Sequence, residues 1–377
     1  MTRISRLLTV DDFEARARRL PRPVFDLIAS GAGDELTLRA NRAAFDRVVL
    51  RPRALRDVAQ RNLETTVVHQ PVALPLLLGP CGFARMIDPA GELAVARAAA
   101  AAGTVYVLSS GASVGVEAVA AAVGGRHLWL GLYLQPDRAQ TERLVAGAER
   151  AGCTGLCLTI DGAVQVARPR DYRNRVTVPL RPTARLLVDG LRNPRWLWHF
   201  LRGRVARRPA VAATATDYWH LATRVVHSKS VTVRDLHWLR ERWHGPLIVK
   251  GVMRAEECEA LTACGVDAVV VSNHGGRLLD GTGATLDALA EIVEALDGRA
   301  EVLLDGGVRR GGDIVRAVAL GARACMIGRP YLWGLAAGGE GGVARVLEIY
   351  RRELDQVMAL TGCASIAEID AGIAGRP

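Results

Sequence analysis

The sequence predicts an α/β fold: a (β/α)8 barrel of the TIM type, with an N-terminal helical cap and a long insertion after the fourth strand. Three observations predict it. From Pro71 onward, eight short apolar runs alternate with longer Ala-rich stretches of helical period. The length of 377 residues suits one barrel of this kind. Half the residues are hydrophobic but only 5% are aromatic, so the apolar content is mostly Ala, Val and Leu. That composition suits helices and parallel strands covered on both faces. An open doubly wound sheet is the alternative, but it would normally use fewer units or split into halves.

The elements follow in order. Asp11 to Arg53 reads as helical, with an N-cap offered by Thr9, Val10, Asp11 and Asp12 and a first stop at Leu20 and Pro21. The apolar runs are Leu74 to Leu78, Val105 to Leu108, Leu128 to Tyr133, Gly155 to Ile160, Leu247 to Lys250, Ala268 to Val271, Val302 to Leu304 and Ala324 to Ile327. The intervening helices are Gly91 to Ala102, Val116 to Ala122, Arg138 to Ala151, Val233 to Trp243, Ala255 to Cys264, Leu286 to Leu296 and Gly312 to Leu320, with a last one within Gly342 to Leu360. Asp161 to Ser230 breaks the rhythm and shows no clear strand–helix unit. We therefore read residues 1–377 as one domain: a cap over 1–70, a barrel over 71–361 and an insertion over 161–230.

Composition excludes several classes. Charged residues at 23% exclude wholesale disorder. No apolar run reaches the roughly 18–20 residues of a membrane span, and no apolar stretch follows the arginines of Met1 to Arg6, so no secretory signal is expected. Seven scattered cysteines, with only Cys153 and Cys157 close together, make neither a disulfide framework nor a metal site, and a cytoplasmic location is expected. Lys and Arg number 49 against 39 Asp and Glu, an excess of +10. Such an excess suits nucleic acid, an acidic membrane surface or small anionic ligands.

In a barrel, function is read just after each strand. Asp305, Gly306, Gly307 and Arg309 follow the seventh run, and Gly328 and Arg329 the eighth. Glycines let backbone N–H groups approach an anion and the arginines add charge, so a phosphate is expected there; tight turns alone are the plainer alternative. His274, after the sixth run and before two glycines, is the best general-base candidate. Asp161, at another strand end, would orient it. Arg168 and Arg277 together would hold a carboxylate, whereas either alone reads as a solvated arginine. Lys250 closes an apolar strand and must be paired or functional, as a Schiff-base amine or as a fixed charge beside an electron-rich cofactor.

The strings Ser272-Asn-His-Gly-Gly-Arg-Leu-Leu-Asp280, Leu304-Asp-Gly-Gly-Val-Arg-Arg-Gly311 and Ile327-Gly-Arg-Pro330 are highly specific. With Ala29 to Leu38, Asn41 and Arg51 to Arg53, they resemble the FMN-dependent 2-hydroxy acid oxidase/dehydrogenase family, which includes glycolate oxidase, lactate oxidase and mandelate dehydrogenase. The resemblance runs from Leu20 to Cys363. It implies FMN as cofactor and a homotetramer. It implies His274 as base with Asp161 as partner, Arg168 and Arg277 on the substrate carboxylate, and Tyr133 on the substrate oxygen. Lys250 would sit by the flavin N1/O2 edge. Pro80, Cys81, Gly82, Ser109, Thr159 and Ser272 would surround the ring and ribityl chain, and Asp305, Gly306, Gly307, Arg309, Gly328 and Arg329 would hold the ribityl hydroxyls and phosphate. No metal is implied.

The sequence departs from the family pattern at Leu27 (usually Tyr), Gly131 (Gln), Gly111 (often bulky) and Cys81-Gly82 (Thr-Ala). Each change removes volume or a polar contact, so a roomier site and a larger or aromatic substrate are expected. The implied reaction is FMN-dependent oxidation of an L-2-hydroxy acid to the 2-oxo acid, with reoxidation by O2 or quinone and by either a hydride or a carbanion route. Two alternatives stand beside it: the same flavin on a larger amine or peptide-derived intermediate, and a non-catalytic anion-binding barrel. Arg192 to Arg208 interleaves Trp196, Trp198 and Phe200 with arginines. It reads as a segment peripheral to a membrane, a lid, or a packed helix. Nucleic acid is the poorest partner, because no binding motif accompanies the charge.

Overall fold

The computed structural model describes residues 3–125, 127–164, 166, 168–174, 183–202, 228 and 230–375. Eight parallel strands close into a barrel: β1 (Leu76–Leu78), β2 (Tyr106–Ser109), β3 (Leu128–Leu132), β4 (Gly155–Thr159), β5 (Leu247–Val252), β6 (Ala268–Val271), β7 (Glu301–Asp305) and β8 (Ala324–Ile327). They pair in sequence order, and β8 returns to β1 through Cys325 opposite Leu76. Every expected run is a strand.

Alternation divides the core into two parts. Leu77, Val107, Trp129, Cys157, Ile248, Val270, Leu303 and Met326 fill the barrel interior. Their strand neighbours, such as Leu76, Leu108, Leu130 and Leu304, pack outward against the helices. A hairpin of Thr65–Val67 and Gln70–Val72 closes the lower end, adding Val67, Val68 and Val72 to the interior cluster. With that end filled, the chemistry is left to the C-terminal ends of the strands.

Three cap helices, α1 (Val10–Ala17), α2 (Arg22–Ala29) and α3 (Leu36–Asp46), lead in. Thr9 and Asp12 form a capping box on α1. The helical reading of Asp11 to Arg53 is too long. Helix ends at Asp46, and Val49–Leu50 pairs antiparallel with Ala374–Gly375. Successive valines followed by Pro52 favour extended backbone there. The last helix starts earlier than expected, running over Arg329–Thr361 with Pro330 at its first turn and a break at Gly338 and Gly339. The interval after β4 carries three short helices, Pro169–Arg173, Ala184–Gly190 and Pro194–Leu201, each too short to show a period in sequence. Residues 175–182 and 203–227 of the expected insertion lie outside the described residues.

The cap is pinned to the barrel mouth by reciprocal polar contacts. Asn41 and Asn273 each donate a side-chain N–H to the other at 2.8 Å. Asp280 accepts the backbone N–H groups of Asp34 and Thr37 at 2.8 and 2.9 Å. Gly307 has φ +85°, and a Cβ there would collide with the Asn41 carbonyl of α3. Gly307→Ala should therefore destabilise the protein by about 2 kcal/mol or more, since left-handed strain alone costs of order 1–3. A thermal melt that matches wild type would refute this.

Candidate functional site

His274 follows β6 in a left-handed conformation, φ +57°. Its backbone N–H donates to Ser272 Oγ at 3.1 Å, which fixes the turn. The ring then reaches two groups: Nδ1 lies 3.0 Å from Asp161 Oδ1, and Nε2 lies 3.3 Å from the Tyr133 hydroxyl. Asp161 follows β4 and Tyr133 follows β3, so three strand ends converge on one imidazole. Burial raises the pKa of Asp161, but the charge and hydrogen bond of His274, with Lys250, overcome this and hold the carboxyl below its ordinary value. Burial, and then the Asp161 charge, push the Tyr133 phenol up, so it remains a donor.

Lys250 projects from β5 into the same mouth. Its ammonium donates to Ser272 Oγ at 2.7 Å and pairs with Asp305 Oδ2 of β7 at 2.9 Å. The two side chains are only 5% and 14% exposed. Burial pulls the lysine pKa down, but the carboxylates of Asp305 and Asp161 outweigh it and hold the value above that of an ordinary lysine.

The arginines divide into two sets. Arg329 donates to the carbonyls of Ile28, Gly275 and Ser30, and Arg277 to those of Ile28 and Ser30, at 2.9–3.1 Å. Arg309 lies over the Trp333 ring and donates to the Val308 carbonyl. Among the described residues, no carboxylate forms an ion pair with any of these three. Burial, and then Arg309, pull the Arg329 guanidinium down to about 10. Arg168, by contrast, pairs with Asp171 Oδ2 at 2.6 Å.

At the first three strand ends, Pro80 approaches Gly131 and Gly82 approaches Gly111. A Cβ on Gly131 would stand 2.8 Å from Pro80 Cβ, and one on Gly82 would stand 2.9 Å from the Gly111 carbonyl. Those two positions therefore add no room, contrary to the sequence expectation. Gly111 is open, because a Cβ there would meet only Ser109 Oγ at 3.5 Å. Burial pushes the Cys81 thiol pKa up, which keeps it protonated.

The family model for FMN-dependent dehydrogenases matches residues 16–375. The chain belongs to the FMN-dependent dehydrogenase family. It is 44% identical to an L-lactate oxidase of Nostoc sp., over 98% of each chain. It is 40% identical to human 2-hydroxyacid oxidase 1, over 97% of this chain and 96% of the relative. Its structure is similar to that of a monotopic membrane (S)-mandelate dehydrogenase, with a TM-score of 0.94 at 36% identity over 99% and 100% of the two chains. It also resembles a mandelate oxidase, with a TM-score of 0.84 at 35% identity and 98% of both chains covered. The chain is an oxidoreductase of the FMN-dependent 2-hydroxy acid oxidase type, and FMN is its cofactor.

The family's cofactor fits the residues present. Thr159 Oγ1 and Asp305 Oδ1 are buried with no hydrogen-bond partner among the described residues, and Lys250 projects from β5, which lies between their strands. Two half-buried guanidiniums that pair with no carboxylate among the described residues, Arg309 and Arg329, suit a phosphate dianion. Gly306 and Gly307, at φ +93° and +85°, and the helix that starts after Gly328 bring backbone to the same end.

Two contributors are missing from the sequence reading. Glu92 is fully buried, and its Oε1 accepts the N–H groups of Ala84 and Ser113, tying the first strand-end loop to the second. In sequence it is one more acid in a first helical turn. Asp171, the partner of Arg168, is legible only as an i,i+3 pair. Breaking the lysine pair tests how strongly the site is built. Lys250→Met leaves Asp305 buried and unpaired, so urea unfolding should show a loss of about 3–5 kcal/mol. A loss below 1 kcal/mol would mean that the pair is solvated.

Proposed function

We propose that this chain oxidises an L-2-hydroxy acid with a large, preferably aromatic, side chain to the 2-oxo acid. The observation that carries the reading is the Asp161–His274–Tyr133 line at the barrel mouth; Arg168 and Arg277 belong to the segments that follow the strands leading to Asp161 and His274. FMN, when bound, supplies the two-electron acceptor. Arg168 and Arg277 bind the substrate carboxylate. The tautomer that donates Nδ1–H to Asp161 makes His274 Nε2 an acceptor, met by the Tyr133 O–H in this structure and able to take the substrate's proton once that hydroxyl turns to the substrate oxygen. Asp161 then faces the imidazolium it has helped to form, and Tyr133 donates its O–H to the substrate oxygen. Lys250 would offer a fixed positive charge to the bound cofactor. Asp305, Ser272 and Thr159 hold its ring and ribityl chain, with Arg309, Arg329, Gly306, Gly307 and Gly328 around its phosphate. Pro80, Cys81, Gly82 and Ser109 would also surround its ring and ribityl chain. The larger side chain is supported by the open space at Gly111, and by Leu27, which offers no hydroxyl to the carboxylate.

The purified holoenzyme should show flavin bands that an aromatic 2-hydroxy acid bleaches without oxygen, with higher kcat/KM than glycolate. His274→Ala should keep the flavin and slow its reduction by about 10²–10⁴. Unchanged reduction in His274→Ala would remove it as the base, and a preference for glycolate would remove the bulky substrate.

We further propose a peripheral membrane contact, with reoxidation by O2 or a quinone. No helix among the described residues is long and apolar enough to cross a membrane. The helix Pro194–Leu201 buries Trp196 and Phe200, with Trp196 Nε1 donating to the Met86 carbonyl at 2.9 Å. Its other side, with the preceding helix, exposes Val188, Leu191, Trp198 and Leu201, beside Arg192, Arg195 and Arg202. Apolar side chains ringed by arginine suit an anionic lipid surface. The chain should float with vesicles containing anionic lipid, and Trp198→Ser with Leu201→Ser should reduce flotation severalfold at unchanged kcat. Equal flotation on neutral vesicles, or by the variant, would sink this reading.

A further inference from the structure

Asp171 is a carboxylate that the proposed chemistry does not use, yet it occupies one of the groups that chemistry needs. Arg168 is the N-cap residue of the five-residue helix Pro169–Arg173, and Asp171 is the third residue of that helix. The helix start holds the two side chains in one turn, with Arg168 Nη2 2.6 Å from Asp171 Oδ2. They are 18% and 14% exposed, so water screens the pair weakly. The opposite oxygen, Oδ1, lies 3.5 Å from the hydroxyl of Ser30, at the end of α2. The Ser30 carbonyl in turn accepts from Arg277 and Arg329 at 3.1 and 3.0 Å. Asp171 is therefore linked to both proposed carboxylate-binding arginines, to Arg168 by direct pairing and to Arg277 through Ser30. Arg277 is different, because neutral carbonyls hold it and leave its charge uncancelled.

We propose that Asp171 is an internal competitor of the substrate: it holds the guanidinium that the substrate's carboxylate must take, and so sets the affinity of the site for acids. The proposal rests on the reading of Arg168 as a carboxylate-binding group. Two carboxylates at one guanidinium repel each other, so the incoming acid binds only as Asp171 yields its contact or its charge. The surroundings favour yielding. Burial pushes the Asp171 carboxyl above its ordinary range; Arg168 draws it back, and the charge of Asp26 in α2 pushes it up again. Asp26 is itself engaged by Arg22, Arg170 and Asn174, so it stays in place beside Asp171. In this role Asp171 is a positioning residue for Arg168, touching neither the reacting atoms nor the cofactor.

The test uses the FMN-loaded full chain and two probes: phenylglyoxylate, which carries a carboxylate, and mandelamide, which has none. Binding is read from the change in the visible flavin spectrum. Asp171→Asn keeps the shape and removes the charge. It should lower the Kd for phenylglyoxylate about tenfold, the order expected for removing one partly screened like charge a few ångströms away, and leave mandelamide unchanged. Asp171→Glu should return the value toward wild type, and Asp171→Ser should repeat the Asn result if that variant folds poorly. A Kd for the acid that is unchanged or raised in both the Asn and Ser variants, or an equal gain for the amide, would overturn the proposal. So would failure of the acid to bind any of the forms. Hydroxy acids that never bleach the wild-type flavin would sink the proposed function, while the binding comparison would still decide the role of Asp171.

Discussion

An ammonium buried inside a barrel constrains everything around it. Lys250 cannot be solvated where β5 places it, so it must be answered by Asp305 on β7 and Ser272 after β6. Removing one partner of such a pair is far more costly than the pair is worth in net stability. The constraint spreads because each partner is shared. The hydroxyl that receives the ammonium also accepts the His274 N–H, and so sets the turn that aims the imidazole at Asp161. The Asp305 carbonyl is held at 2.6 Å by the hydroxyl of Thr285, at the head of the helix between β6 and β7. One charge thus registers the ends of four strands, and the base and its partner inherit their geometry from it.

The barrel was legible because parallel strands covered on both faces read as unbroken apolar runs, as Ala268 to Val271 does. The strand-end residues were legible because polar groups directly after such runs have few structural reasons to be there; His274 and Lys250 are the clearest. What the sequence hid were contacts between distant positions. Gly131 reads as vacated space, but Pro80 from another strand end fills it. Glu92 reads as an ordinary first-turn acid, yet it bridges two loops of the site. Asp171 sits in a helix of five residues, too short for any periodicity to mark it. The helical reading carried past Asp46 for a related reason: a short antiparallel pair with the far C-terminus leaves no local pattern.

The net charge of +10 also resolves into local terms. Many arginines meet carboxylates, as Arg42 meets Asp313 and Arg61 meets Asp355. Among the described residues Arg277, Arg309 and Arg329, near the mouth, do not, and those suit a phosphate and a carboxylate. In the segment singled out for its basicity, Arg195 approaches Asp88 at 3.8 Å and Arg202 stacks on Trp198 at 3.7 Å. Arg204, Arg207 and Arg208 lie outside the described residues.

Arginines 277 and 329 reach across to the end of α2, and the reason lies in the helix itself. The last carbonyls of a helix have no partner within it and carry the negative end of its dipole. The Ile28 and Ser30 carbonyls occupy that end, and each receives donors from both guanidiniums. The contact satisfies the helix without cancelling the arginines, because carbonyls carry only partial charge. An ion pair with an acid in the cap would hold the cap as firmly but would neutralise the site. The cap therefore closes the mouth in a way that preserves positive charge for small anions. Arg168, paired to a full carboxylate, is the exception within the same site.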